Sequence, residues 1–148
     1  MTEPRRERSI REKRLLQGAV VVFGFVPVLA GLAGVFTGGG FLGQTLDISS
    51  DSHLRYLSGL LLGIGLCFWS TVPRIAAMTA RFRLLTLIVV IGGLGRAYAL
   101  AMTGAPSTGM MLALGMELVV TPGLCWWQGR VAAASGWGEW LGRVGWGS

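Results

Sequence analysis

Charge is scarce in this chain. Only 14% of its 148 residues are Asp, Glu, Lys or Arg, where a soluble domain carries about 25%. With 52% hydrophobic residues and a mean hydropathy of +0.60, the deficit argues against an ordinary soluble globule. Histidine is nearly missing. His53 is alone, and the two cysteines, Cys67 and Cys125, form no Cys-x-x-Cys arrangement. A structural zinc site takes four Cys or His ligands, so no metal site is expected. Both thiols read as ordinary buried residues that stay reduced on the cytoplasmic side. No internal repeat, second domain or linker is visible. Gly92-Gly93-Leu94-Gly95 lacks the strand–turn–helix setting of a nucleotide-binding loop.

What the chain does have is four long apolar stretches: Leu15–Phe36, Leu54–Val72, Leu84–Met102 and Thr108–Gln128. Each is near the 20 or so residues that cross a bilayer. Backbone polar groups cannot stay unpaired in lipid, so each is expected to be a helix. The 24 glycines suit helices that approach closely in a membrane. The first stretch follows a basic segment, and Val28-Leu29-Ala30 resembles a signal-peptide cleavage site. Its apolar run continues to Phe36, longer than the 7–15 residues usual for a signal core, so an uncleaved helix is expected. Arg5-Arg6 alone does not make a twin-arginine signal.

The sequence pI of 10.7 raises the question of nucleic acid. However, six of the thirteen basic residues (Arg5, Arg6, Arg8, Arg11, Lys13 and Arg14) crowd the first fourteen positions. They lack the aromatic interleaving of a base-stacking surface, so no nucleic-acid partner is expected. The lipid bilayer is the expected partner. The basic tail at residues 1–14, Arg74, Arg81, Arg83, Arg130 and Arg143 would all be cytoplasmic by the positive-inside bias. The first loop, Thr37–His53, carries Asp47 and Asp51 without Lys or Arg, and Thr103–Ser107 is uncharged. Both loops would lie outside. The expectation is therefore an all-α, antiparallel, up-down four-helix transmembrane bundle over residues 15–128, with both termini inside.

Residues 129–148 form a Trp-rich tail. Trp137, Trp140, Leu141 and Val144 recur at helical spacing. This predicts a short interfacial helix on the cytoplasmic face or, because Gly136, Gly138, Gly142 and Gly145 weaken any helix, a disordered tail that dips its Trp residues into the interface. Trp69, Trp126 and Trp127 read as an aromatic belt.

Two charges sit inside apolar stretches: Arg96 in the third and Glu117 in the fourth. Charges at membrane depth are costly; they face the interior, pair, and mark function. Arg96 lies roughly 9 Å and Glu117 about 14 Å below the outer ends of their helices, a gap two long side chains close. Arg55 sits at the outer lip of the second helix with His53 and Asp51 above it. Small residues share these faces: Ser58, Gly59 and Gly63 with Arg55; Gly92, Gly93 and Ala99 with Arg96; Ala113 and Thr121 with Glu117. Gly59-x-x-x-Gly63 reads as a packing motif. Pro122 and Pro27 each free a backbone carbonyl, of Leu118 and Phe23 respectively. The candidate binding set is thus His53, Arg55, Ser58, Gly59, Gly63, Arg96 and Glu117, with no catalytic residue assigned and the cofactor unknown. Arg96 and Glu117 read equally as a structural pair fixing helix register.

The runs His53-Leu-Arg55-Tyr-Leu-Ser-Gly59-Leu-Leu-Leu-Gly63, Leu94-Gly95-Arg96, Thr103-Gly104-Ala105-Pro106 and Glu117-Leu118 resemble the domain of unknown function 4345 family over roughly residues 18–128. The resemblance implies a small four-helix protein of a prokaryotic inner membrane and carries no activity. The layout is more distantly similar to quinone- and redox-associated families related to DoxX. The leading functional expectation is a non-enzymatic accessory or binding subunit. Its outward-facing polar pocket would take a small amphipathic or lipidic molecule, such as a lipid or a quinone-like one, or a partner helix; a second copy of the chain and a membrane complex are the further candidate partners. The alternative is a redox or isomerase-type enzyme acting on a quinone- or polyketide-like substrate, with Glu117 as acid/base and Arg96 stabilising an oxyanion. Transport is a third reading, for which four helices without a repeat give little room.

Overall fold

The computed structural model describes residues 3–43, 45–104 and 107–144, with side chains for 7–40, 43, 45–104 and 107–135. It is all-helical, with no strand among the described residues. Helix α1 spans Glu3–Thr37 and ends in a 3-10 turn, Gly38–Leu42. Helix α2 spans Ile48–Thr71 and α3 spans Thr79–Thr103. The last helical run is α4, Thr108–Gly115, a π-helical segment, Met116–Val120, and α5, Thr121–Val144.

Four helices are long and apolar enough to cross a membrane: Glu7–Gly40, Ile48–Arg74, Thr79–Thr103 and Thr108–Ser135. Large apolar side chains on them stay uncovered: Leu94, Leu112 and Val119 are each more than half exposed. Such a surface is an aggregation hazard in water and is ordinary in hydrocarbon.

Each helix outruns its apolar stretch. α1 is already helical at Glu3, through the segment expected as a basic tail. α2 starts six residues before Leu54 because Asp47 caps it. The Asp47 carboxylate accepts the Ser49 and Ser50 N–H groups at 2.9 and 3.0 Å, and the Ser50 hydroxyl at 2.6 Å. An Asp in this role satisfies amide donors that the first helical turn leaves orphaned. The helix that begins at Thr108 does not stop at Gln128 but continues to Val144. The backbone thus has no separate interfacial helix, and the Trp137, Trp140, Leu141 and Val144 side chains lie outside the described residues.

The chain divides into two compact units, residues 18–73 and residues 1–17 with 74–148. In the first, α1 and α2 form a closely approached hairpin. Gly31 lies where an added methyl would meet the Leu62 backbone N at 2.7 Å and the Ser58 carbonyl at 2.8 Å, and Gly34 leaves the space that the Ser58 side chain fills. Gly65 admits Val28 and Pro27 in the same way. The Trp69 indole packs at Gly24, stacks edge-on against Phe25 with ring centroids 4.9 Å apart, and donates to the Val21 carbonyl at 3.1 Å. Trp69 is therefore a packing residue of this hairpin.

In the second unit α3 runs antiparallel to the last helix, as its contacts show: Thr79 meets Gln128, Gly93 meets Leu118, and Arg96 meets Glu117. Phe82, Leu16 and Ile75 are fully buried there, and Val131 nearly so.

Candidate functional site

The structure brings Arg96 and Glu117 together. Arg96 Nε donates to Glu117 Oε2 at 3.0 Å and Nη2 donates to Oε1 at 3.1 Å, a bidentate pair. Its third nitrogen, Nη1, points at Met110 Sδ, 2.7 Å away. Two parallel charge-assisted bonds fix both the separation and the plane of the pair. Gly93, one turn before Arg96, makes the approach possible. A methyl there would meet Leu118 Cδ2 at 2.7 Å and Glu117 Cβ at 2.9 Å. Gly92 faces open space. The pair is not sealed: the side chains of Arg96 and Glu117 keep 34% and 18% of their surface uncovered.

Glu117 sits in the π segment, next to its start. Such single-turn bulges inside α-helices occur often at functional sites. Here Pro122 follows immediately and cannot supply an amide donor. The Thr121 hydroxyl donates to the Met116 carbonyl at 2.9 Å, joining the Thr121 backbone N–H on the same oxygen. The carbonyl of Met116, the residue before Glu117, thus keeps two donors across the wider turn.

Arg55 has a different task. Its Nε pairs with Asp51 Oδ2 at 2.7 Å, and its Nη1 donates to the Val35 and Phe36 carbonyls at 2.6 and 3.2 Å. Those are orphan acceptors at the C-terminus of α1, where the helix dipole favours a cation. Asp51 Oδ1 meanwhile accepts the Gly39 N–H at 2.8 Å. Gly38 adopts φ +53° at this turn. That left-handed conformation favours glycine, and a Cβ would in addition press on the Asp51 carboxylate and lie 2.7 Å from Arg55 Nη2.

The remaining candidates are dispersed. His53 is exposed and lies with Ile48, Ser49, Ser52 and Tyr56 around a shallow hollow that Arg55 does not line. Ser58 is buried against α1 and donates to its own helix, to the Leu54 carbonyl at 2.8 Å. Gly59 makes only an ordinary contact with Val35, and Gly63 faces open space. The close packing that the Gly59-x-x-x-Gly63 motif suggested is made instead by Gly24, Gly31, Gly34 and Gly65. Among the described residues no cluster of three metal-ligating side chains occurs.

Sequence reasoning set Asp51 beside Arg55 without pairing the two, and passed over Met110 and Gln128. Met110 lies seven residues before Glu117, a spacing that returns to one helix face. Asp51 lies one turn before Arg55, the spacing of an intrahelical ion pair. Gln128, read as the end of a span, is fully buried; its Nε2 donates to the Ile75 carbonyl at 2.7 Å and to the Thr79 hydroxyl at 2.9 Å.

Fold and pair together define a small all-helical protein with four membrane-length helices and an Arg–Glu pair joining two of them. The chain belongs to the family described as Domain of unknown function (DUF4345), whose profile matches residues 15–128. No curated protein and no solved structure matches it.

Proposed function

We propose that this protein is a non-enzymatic accessory or binding subunit of a bacterial inner membrane, with Arg96 and Glu117 as its recognition element. Both termini face the cytoplasm, as the distribution of basic residues supports. The four helices form a transmembrane bundle, and the polar centre belongs to its outer half. The occupant is the polar end of an amphipathic lipid or quinone-like molecule, or a polar group on a partner helix. One observation carries this reading: the pair is joined bidentately yet only partly covered, beside the open space at Gly92. A purely structural pair is better sealed, since each uncovered charge in hydrocarbon is costly. A catalytic role fits less well, because Arg96 engages both oxygens that a general base would use.

The test is native mass spectrometry of protein extracted with its surrounding lipid. The wild type should retain an amphipathic molecule that the doubly substituted Arg96→Leu, Glu117→Leu protein loses while remaining folded. An identical set of retained molecules in both proteins would return the pair to a purely structural role. Turnover of the retained molecule would favour the enzyme.

A further inference from the structure

A second feature lies at the other end of the same two helices. Between α3 and α5 runs a groove of about 470 Å³, lined by Arg83 and Thr86 on α3 and by Pro122, Cys125, Trp126 and Arg130 on α5, among others. Arg83 is thirteen residues from Arg96, roughly 20 Å along the helix, so the groove is distinct from the ion pair.

Its chemistry is two-sided. Arg83 and Arg130 are exposed guanidinium groups, and among the described residues no carboxylate pairs with either. Arg130 lies over the Trp126 ring, 5.0 Å from its centroid, a cation–π contact that holds the charge at the groove's edge. Between them the wall is apolar, except for the Thr86 hydroxyl, which is buried and has no hydrogen-bond partner among the described residues. The position along the helices matters equally. Arg83 is four residues inside the start of the Thr79–Thr103 span, and Arg130 is five residues inside the end of the Thr108–Ser135 span. Because the helices are antiparallel, both cations reach the same end of the two membrane-length spans. Trp126, a residue type that prefers the headgroup layer of a bilayer, is two-thirds exposed there.

We propose that this groove binds an anionic glycerophospholipid. Arg83 and Arg130 hold the phosphate, which suits the planar donor fork of arginine. One acyl chain lies along Pro122, Cys125 and the Trp126 face. Unpaired cations at the headgroup level of a membrane-length helix pair are complementary to an acidic lipid, and basic clefts between membrane helices take such headgroups. The apolar wall selects a lipid over a free phosphate, which would leave that wall empty.

The experiment uses the full chain in detergent with equal amounts of phosphatidylglycerol and phosphatidylcholine, and reads the bound lipid by native mass spectrometry. The wild type should favour phosphatidylglycerol by about tenfold, and the Arg83→Gln, Arg130→Gln protein should fall to within about twofold. The Arg8→Gln, Arg11→Gln protein, with the same change in net charge, should keep the preference. If the groove double variant does not fold, the single variants of these two exposed residues supply the readout, each with a reduced preference. Glycerol 3-phosphate in excess should fail to displace the lipid. Equal binding of the two lipids by the wild type, equal loss in the Arg8 and Arg11 control, unchanged preference in the groove variants, or displacement by glycerol 3-phosphate would each overturn the proposal. None of these outcomes touches Arg96 or Glu117, so this site and the recognition element stand or fall separately.

Discussion

Consider what happens when each member of the Arg96–Glu117 pair is removed. A stranded carboxylate can neutralise itself by taking up a proton, whereas a stranded guanidinium cannot. The two single substitutions should therefore differ. Glu117→Leu leaves a permanent cation facing Met110 and two apolar helices. Breaking one side of a buried pair costs about 3–5 kcal/mol, and the one-third exposure of Arg96 puts this case near 3 kcal/mol. For a chain of this length each kcal/mol lowers the melting temperature by about 2–4 °C, so a fall of about 6–12 °C is expected. Arg96→Leu should cost less, about 1–2 kcal/mol, because only a neutral carboxyl is left short of partners. The double replacement leaves apolar contacts at Gly93 and Met110 and should return to within about 1 kcal/mol of the wild type. The implied coupling is about 3–5 kcal/mol. Thermal unfolding in detergent, followed by circular dichroism across the four proteins, measures it. If the losses of the single variants simply add in the double, the observed bonds do not couple the two helices. Equal costs for the two singles would refute the argument from proton uptake.

Three further outcomes follow from other parts of the structure. Reporter fusions after residues 45 and 105 should read external, and fusions at residue 78 or at the C-terminus internal; an external C-terminus would contradict the proposed topology. Gly38→Ala should destabilise the hairpin by about 1–2 kcal/mol from its left-handed backbone alone, with a further loss from contact with Asp51 and Arg55; an unchanged melting temperature would show that the cap is dispensable. The Ser50 hydroxyl and the Ser49 and Ser50 amides hold the Asp47 carboxyl below its ordinary value of 3.8. Its capping contribution is therefore complete above that value and is lost as the pH falls through the lowered one, so Asp47→Asn should flatten the acid limb of a pH–stability curve, and an identical limb would argue against the cap.

The helices were legible because hydrophobic length is a one-dimensional property. Four long apolar runs require four helices whatever surrounds them. Their ends were less visible, because polar residues prolong them: Asp47 caps α2 ahead of its apolar run, and the α5 backbone runs on past Gln128. The Arg96–Glu117 meeting was legible because each charge stood alone in its run and had few places to go. The role of Arg55 was hidden because its partners are backbone carbonyls of Val35 and Phe36, which no side-chain pattern announces. The glycine contacts misled for a related reason. Glycine spacing marks a face that permits close approach, but only the neighbouring helix decides which face is used, and here Gly31, Gly34 and Gly65 serve while Gly63 stays open. The π segment at Met116–Val120 leaves no mark in the hydropathy of the run that contains it.

The closure of α1 onto α2 bears on how the protein is made. The bonds from Arg55 to the end of α1, the Asp51 contact with Gly39, the glycine-seated Ser58 and the Trp69 lock on Val21 all lie within residues 18–73. Every one is available as soon as the ribosome has delivered Trp69. In the proposed membrane topology the hairpin can therefore enter the bilayer as a finished piece while the rest of the chain is still being synthesised, in keeping with the N-terminal-first order of assembly. The other unit joins residues 1–17 to residues 74–148. Its earliest segment has to wait for the latest, and the period of exposure to insertion errors or proteolysis falls on α3 and α5.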